Sequence, residues 1–291
     1  MVASDDRVVV IGGSSRGIGL AVAHRLIAEG ASVVMNGREH DVLGAAVAEV
    51  TAGGGRAVGV VGSLARPGVA FAMLDAAREH FGRVDGAVNC AGVAEPPGSS
   101  ILTIDSEEFA AQIDAHLVSA FELTRAAAEV FVAQRHGSIV LSGSAAASGM
   151  FGGTGYPAAK GAVAALASAV AADLRSTGVR VNVVMPGART RLSTGPDYHA
   201  HIDDLRDRGV LDPGVHAMAA DPAPPDYVAA LYAYLVSDAA ADVTGEIFTA
   251  AGNVIGRHGP SPMSLIAYRD HTDTPPYTPD EIHAAFAGQA T

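Results

Sequence analysis

Gly12-Gly13-Ser14-Ser15-Arg16-Gly17-Ile18-Gly19 follows directly on the apolar run Val8-Val9-Val10-Ile11 and leads into a stretch with Ile18, Val22 and Leu26 at helical spacing. A strand, a glycine-rich turn and a helix in that order open a βαβ unit. Glycines at 13, 17 and 19 allow a tight turn, close approach of backbone to a pyrophosphate and close packing of helix on strand. The first N–H groups of the helix have no partners within it and point toward phosphate oxygens. A loose glycine pattern alone describes an ordinary turn, but its place between strand and helix makes it a nucleotide-binding loop. Gly13, Ser15, Arg16, Gly17, Ile18 and Gly19 are the first cofactor contacts to expect.

Outward from this loop, short β-branched runs alternate with Ala-rich helical stretches, which predicts an α/β fold with a parallel sheet. Strands are expected at 7–11, 32–35, 56–61, 86–89, 138–142, 180–184 and 245–249, and helices at about 17–29, 68–81, 106–134, 156–177 and 226–236. Several strands are apolar without alternation, as strands covered on both faces are. Gly30 and Gly178 stand where left-handed C-terminal caps belong. The 291 residues include 34 glycines and no tryptophan, so small aliphatic side chains must build closely packed layers. A single Rossmann-type domain over 1–256 is expected, with a Pro-rich extension at 257–291 packed on it. Residues 188–225, rich in Asp, His, Gly and Pro, read as a long irregular insertion covering the site.

A net charge of −12 argues against nucleic-acid and anionic-membrane surfaces and leaves small molecules and other copies of the chain as partners. Cys90 is the single cysteine, so neither an internal disulfide nor a cysteine-built metal cluster is available, and a reducing cytoplasm fits. The N-terminal residues lack a basic region leading into a long apolar run, and no segment has the ~20 apolar residues that cross a bilayer, so a soluble, unexported protein is expected. His199, His201, Asp203 and Asp204 lack further spaced ligands and read as loop residues, with no metal site expected. The run Tyr227, Val228, Leu231, Tyr232, Tyr234 and Leu235 has the spacing of a packed helix.

The second strand ends Met35-Asn36-Gly37-Arg38, with no carboxylate where an NAD site would bond its ribose hydroxyls. A 2′-phosphate is held by guanidinium groups, so Arg38 together with Arg16 favours NADP(H) over NAD, unless either arginine is simply a solvated surface residue. Farther on, Tyr156 and Lys160 stand four apart at the start of an Ala-rich helix and share one face. A free phenol titrates near ~10, and a neighbouring ammonium lowers that, which makes Tyr156 a candidate proton carrier.

These motifs resemble the short-chain dehydrogenase/reductase family, whose loop reads Thr-Gly-x-x-x-Gly-x-Gly; Gly12 replaces the threonine. The resemblance spans about residues 8–252. It implies a seven-stranded doubly wound sheet, usually a homotetramer or else a dimer, and hydride transfer between a nicotinamide cofactor and a carbonyl/alcohol pair. Asn89-Cys90-Ala91-Gly92 is similar to the family's Asn-Asn-Ala-Gly and implies that Asn89, Ala91 and Gly92 meet the cofactor. Ser63, followed by Leu64, stands where the family's aspartate meets adenine, and Pro186, Gly187 and Thr190 resemble the loop that meets the nicotinamide amide. The family's catalytic serine falls on Ser144, with Ser142 as the fallback; Ser144 lies one residue closer to Tyr156 than is usual.

His116 occupies the place of an asparagine that holds a water linking the lysine to solvent. An imidazole there preserves a proton relay, makes it pH-dependent or marks a weakened enzyme, unless it is a buried structural histidine. The expected activity is an NADP(H)-dependent ketone/alcohol oxidoreductase with Ser144, Tyr156, Lys160 and His116 as its catalytic set. The alternatives are a catalytically weak or inactive nucleotide sensor and a structural subunit. The segment 243–248 and the Pro-rich tail look like those of members acting on acyl thioesters, steroids or polyketides, which suggests a medium-to-large carbonyl substrate.

Overall fold

Every residue of β1 (Val8–Gly12) is buried, because its side chains alternate between two separate cores. Val9 and Ile11 join one core and Val8 and Val10 the other. The structure, a computed structural model, describes residues 6–259, 264–270, 272 and 274–287. Its contacts group the chain into two units, Met1–His258 and Gly259–Thr291.

In the first unit, β1 is followed by α1 (Gly17–Ala28), β2 (Ser32–Gly37), α2 (His40–Ala52), β3 (Arg56–Val61), α3 (Val69–Phe81) and β4 (Gly86–Asn89). Then come α4 (Ser106–Ile113), a π-helical turn (Asp114–Val118), α5 (Ser119–Gln134), β5 (Gly137–Ser142), α6 (Gly155–Asp173) and β6 (Val179–Gly187). The unit closes with α7 (Pro196–Asp207), α8 (Pro213–Ala220), α9 (Asp226–Val236), β7 (Ile247–Ala251) and β8 (Val254–His258). The strand order is β3-β2-β1-β4-β5-β6-β7-β8. It reverses between β1 and β4, so the crevice at their C-terminal ends is where an open α/β sheet takes a ligand. One core packs α1, α2 and α9 on the sheet, and the other packs α3, α5 and α6.

The α/β Rossmann architecture is as expected, with three differences. The sheet has eight strands rather than seven, because the chain turns at Gly252 (φ 51°) and β8 returns antiparallel to β7. The helix α2 was not anticipated, since Gly44 interrupts its short apolar pattern. The segment 188–225 is not irregular. Pro196 opens α7 and Pro213 opens α8, Asp212 caps Gly214 and Val215, and Ile202, Leu205, Leu211 and Ala219 form a small core of their own. Pro at the first helical position and Asp before it are helix-start signals as much as loop residues.

The expected helix 106–134 is present but carries the π-turn, whose freed carbonyls of Ala115 and His116 accept from Ser119 Oγ at 2.7 and 3.2 Å. Gly30 has the left-handed backbone expected of a cap, with φ of 96°, whereas Gly178 (φ 84°) does not cap α6, which ends at Asp173 with Leu174 as its C-cap, four residues before the expected end, and Gly178 instead turns the chain into β6. The second unit contains α10 (Pro279–Ala287), near whose start Glu281 pairs with Arg269 at 2.7 Å. Among the described residues no helix is long and apolar enough to cross a membrane.

Candidate active site

The glycine loop is built by exclusion. A Cβ on Gly13 (φ 67°) would lie 2.6 Å from Ala91 Cα, and one on Gly19 would lie 2.4 Å from the Gly13 carbonyl oxygen. Gly17 (φ 58°) differs, since the nearest obstacle to a Cβ is Thr190 Cγ2 at 3.6 Å. No side chain caps α1. Its first N–H groups therefore face the crevice without an internal partner, and the positive end of its dipole favours an anion. These features fit the pyrophosphate of a dinucleotide, which Gly13, Gly17, Ile18 and Gly19 would hold.

The loop is held from β2 by Asn36, a buried residue that sequence reasoning quoted but gave no role. Gly13 N–H donates to Asn36 Oδ1 at 3.3 Å, and Asn36 Nδ2 donates to the carbonyls of Val60 and Gly62, each at 3.0 Å. Buried Ser14 completes the staple by accepting from Asn36 N–H at 2.9 Å and donating to the Ile11 carbonyl at 2.8 Å. Ser15 lies against Gly37, where an added Cβ would come within 3.0 Å of its side chain.

At the end of β2, Arg38 is exposed and makes no ion pair among the described residues, whereas Arg16 bonds Glu39 at 2.8 Å. Glu39 is thus a carboxylate one residue beyond the stretch from which its absence was inferred, and it engages one of the two arginines. Leu64 does not line the crevice with its side chain; it is buried against Gly12. Ser63 is half-buried, and its carbonyl accepts from Arg66 N–H at 2.9 Å. Asn89 turns the end of β4 by accepting from Ala91 N–H at 2.8 Å and donating to Ser119 Oγ at 3.3 Å. Pro186 and Gly187 end β6 in register with Ala250 and Ala251, while Thr190, beside Gly17, accepts from Leu192 N–H at 3.2 Å.

Across the crevice stands α6. Tyr156 is in its first turn and Lys160 one turn on, with Lys160 Nζ 5.8 Å from the Tyr156 ring centroid. Ser144 caps the short turn after β5, its hydroxyl accepting from Ala146 N–H at 3.1 Å, and lies near enough to the phenol to favour its ionised form. Ser142 belongs elsewhere, since its hydroxyl meets Tyr232 Oη at 2.7 Å beneath the site. Lys160 donates to the Ser142 carbonyl at 2.8 Å, and burial pulls its pKa down to about 8. The expected lowering of Tyr156 is not found. Burial raises the phenol above its ordinary value, Ser144 opposes this, and the Glu95 charge adds to it.

His116 is buried in the π-turn with its ring on Gly92, where a Cβ would lie 2.5 Å from Cε1. Its Nε2 lies 3.1 Å from the Val93 carbonyl oxygen and 3.4 Å from the Val93 nitrogen, while Nδ1 is buried without a partner among the described residues. Burial first, and Lys160 second, depress the imidazole to about 3, so a relay through it does not titrate near neutrality. Glu95 was missed altogether. It lies 61 residues from Tyr156 in the chain and in no motif, and its carboxylate caps α6.

Of the four residues set aside as metal ligands, His199 stacks at a tilt beside Tyr198 and the other three bond apart. His201 reaches the Phe151 carbonyl, Asp203 meets His216 and Arg206, and Asp204 pairs with Arg208.

Residues 13–252 match a family described as enoyl-(acyl carrier protein) reductase. The chain belongs to the short-chain dehydrogenase/reductase family. Over 260 residues this dehydrogenase/reductase is 32% identical to the 3-oxoacyl-(acyl-carrier-protein) reductase of a Synechocystis species, covering 88% of this chain and 99% of that one. It resembles the crystal structure of a short chain dehydrogenase from Mycobacterium avium with a TM-score of 0.77 at 29% identity, over 98% of this chain and 95% of that one. A variant of actinorhodin polyketide ketoreductase solved with NADPH gives 0.72 at 25% identity, over 87% and 98%. The protein is accordingly an NAD(P)-dependent oxidoreductase.

Its departures from the usual short-chain dehydrogenase/reductase residues have local reasons. Gly12 replaces threonine because Leu64 Cδ1 lies 2.2 Å from where a Cβ would be. Cys90 replaces asparagine with a thiol that accepts from Ser142 Oγ at 3.6 Å and that burial pushes up to about 11, which leaves it unreactive. His116 fits where asparagine is usual because residue 92 carries no Cβ.

Proposed function

We propose that the protein is an NADP(H)-dependent reductase that interconverts a ketone and a secondary alcohol, with Tyr156 as the acid/base. The convergence of Ser144, Tyr156 and Lys160 on one side of a crevice, whose other side is the uncapped start of α1, carries this reading. Bound there, NADPH supplies the hydride. Ser144 and Tyr156 hydrogen-bond the substrate oxygen, and Tyr156 Oη gives it the proton. Lys160, partly charged near neutrality, steadies the phenolate that remains. His116, neutral and against the Tyr156 ring, fixes the ring's orientation. Arg38 is the guanidinium available to a 2′-phosphate, with Arg16 shared with Glu39.

The name of the Synechocystis relative and that of the polyketide ketoreductase support an acyl-thioester or polyketide-like ketone as substrate. A panel of ketones that includes an acetoacetyl thioester, followed by NADPH oxidation, tests the proposal. Reduction of a thioester-linked ketone supports it. Tight NADPH binding with no turnover on any ketone favours a nucleotide sensor instead, and absence of NADPH binding defeats both. A homo-oligomer remains part of the proposal and is read by light scattering.

A further inference from the structure

Tyr156 sits in the first turn of α6, a 19-residue helix, where the positive end of the dipole favours a phenolate. The helix has no capping side chain of its own, because Thr154 at its N-cap makes no such bond. The missing cap comes from the loop after β4. Glu95 Oε1 accepts from the N–H groups of Thr154 at 3.1 Å and Gly155 at 2.9 Å, and Oε2 accepts from Tyr156 N–H. Ser99 Oγ donates to the same carboxylate at 2.7 Å, which fixes it from its own side. Gly153 (φ 79°) completes the seat, since a Cβ there would lie 3.3 Å from Glu95 Cδ. One carboxylate thereby ties the loop beside the cofactor crevice to the backbone that carries the phenol.

The groups facing that phenol come from every neighbouring element. Lys160 is on α6 itself, His116 on the π-turn, Tyr198 on α7, Tyr232 on α9 and Glu95 on the β4 loop. His116 is neutral above about 3, and burial holds both tyrosines in the protonated form. Glu95 is therefore the charge that acts on Tyr156 where the phenol titrates, because Lys160, pulled down to about 8, has by then given up its proton. The helix dipole favours the phenolate, and the carboxylate at the helix start offsets it.

Building on the proton-donor role proposed for Tyr156, we propose that Glu95 is a positioning residue for it. Its carboxylate fixes the first turn of α6 and extends to higher pH the range in which the phenol keeps the proton that carbonyl reduction uses. The reaction needs no group beyond those named, since the proton that Glu95 helps retain is the one Tyr156 Oη passes to the substrate oxygen.

Glu95→Gln tests this in the full chain, because the amide oxygen still caps two N–H groups while the charge is gone. The phenolate absorbance of each protein, less that of its Tyr156→Phe counterpart, gives the titration of Tyr156 without turnover. Its midpoint is expected to fall by about half a unit to one unit in Glu95→Gln. The pH limb for alcohol oxidation is expected to move the same way, while KM for NADPH and kcat for reduction near neutrality, where the phenol is protonated in both proteins, change little. Glu95→Ala is expected to speed amide exchange at residues 154–156, and Glu95→Gln to restore most of the protection.

An unchanged Tyr156 midpoint in a folded Glu95→Gln protein overturns the inference even if ketones are reduced. A shifted midpoint in a protein that reduces no ketone supports it and removes the proposed activity instead.

Discussion

The imidazole of His116 meets the phenol ring of Tyr156 edge-on, with centroids 5.0 Å apart and planes at 89°. The extra residue of the π-turn and the absent Cβ of Gly92 make room for it. Its Nε2 lies 3.1 Å from the Val93 carbonyl oxygen and 3.4 Å from the Val93 nitrogen, and burial keeps the ring neutral.

That neutrality makes stability depend on pH. The folded pKa of about 3 lies below the ordinary 6.5, so the unfolded chain binds the proton more readily, and stability is lost as pH falls from 6.5 toward about 3. By about pH 5 the loss is about 2 kcal/mol. Denaturant unfolding of the wild type and of His116→Asn near neutrality and near pH 5 checks this. The wild type should lose about 2 kcal/mol more than the variant over that interval.

Leu64 occupies the space of a Cβ at Gly12, so Gly12→Ala overpacks the end of β1. A cost of about 1–3 kcal/mol is expected in denaturant unfolding. Added to Leu64→Ala, the same substitution should cost much less, because the truncated side chain vacates the position. Simple additivity in the double variant would show that the two residues do not compete.

On the proposed reading, the cofactor preference rests on Arg38 and the Arg16–Glu39 pair. Arg38→Ala is expected to weaken NADPH binding about tenfold or more while leaving NADH nearly unchanged. Glu39→Gln frees Arg16 and is expected to tighten NADPH, with little change in stability because the pair is exposed. Fluorescence titration with the two cofactors reads both effects.

Asn36 bonds the glycine loop and the end of β3 at once. Asn36→Ala leaves the Gly13 N–H and two carbonyls without this partner and should cost about 1–3 kcal/mol in unfolding. NADPH affinity should fall with it, whereas a variant with normal affinity would show that the loop keeps its shape unaided.

What the sequence disclosed was local. The glycine loop is read from eight consecutive residues, and Tyr156 and Lys160 are read from one helical turn. Ser144 and Asn89 follow from strand ends beside recognisable neighbours. What stayed hidden depends on partners distant in the chain, such as Leu64 against Gly12, Asn36 across β1 and β3, and Glu95 on the start of α6. Composition misled at residues 188–225, where Pro196, Asp212 and Pro213 begin helices. The raised phenol was out of reach for a different reason. The four-residue spacing shows that Lys160 is near Tyr156, but not that its ammonium turns to the Ser142 carbonyl or that burial outweighs it.

In the proposed mechanism the proton passes through one hydroxyl, and Tyr156→Phe removes that atom while keeping the ring against His116. NADPH oxidation with a reducible ketone, measured beside NADPH binding, is therefore the most direct test. A fall in kcat on the order of a thousandfold, with NADPH affinity preserved, is predicted. Turnover within a few-fold of the wild type would contradict the assignment of Tyr156 as the acid.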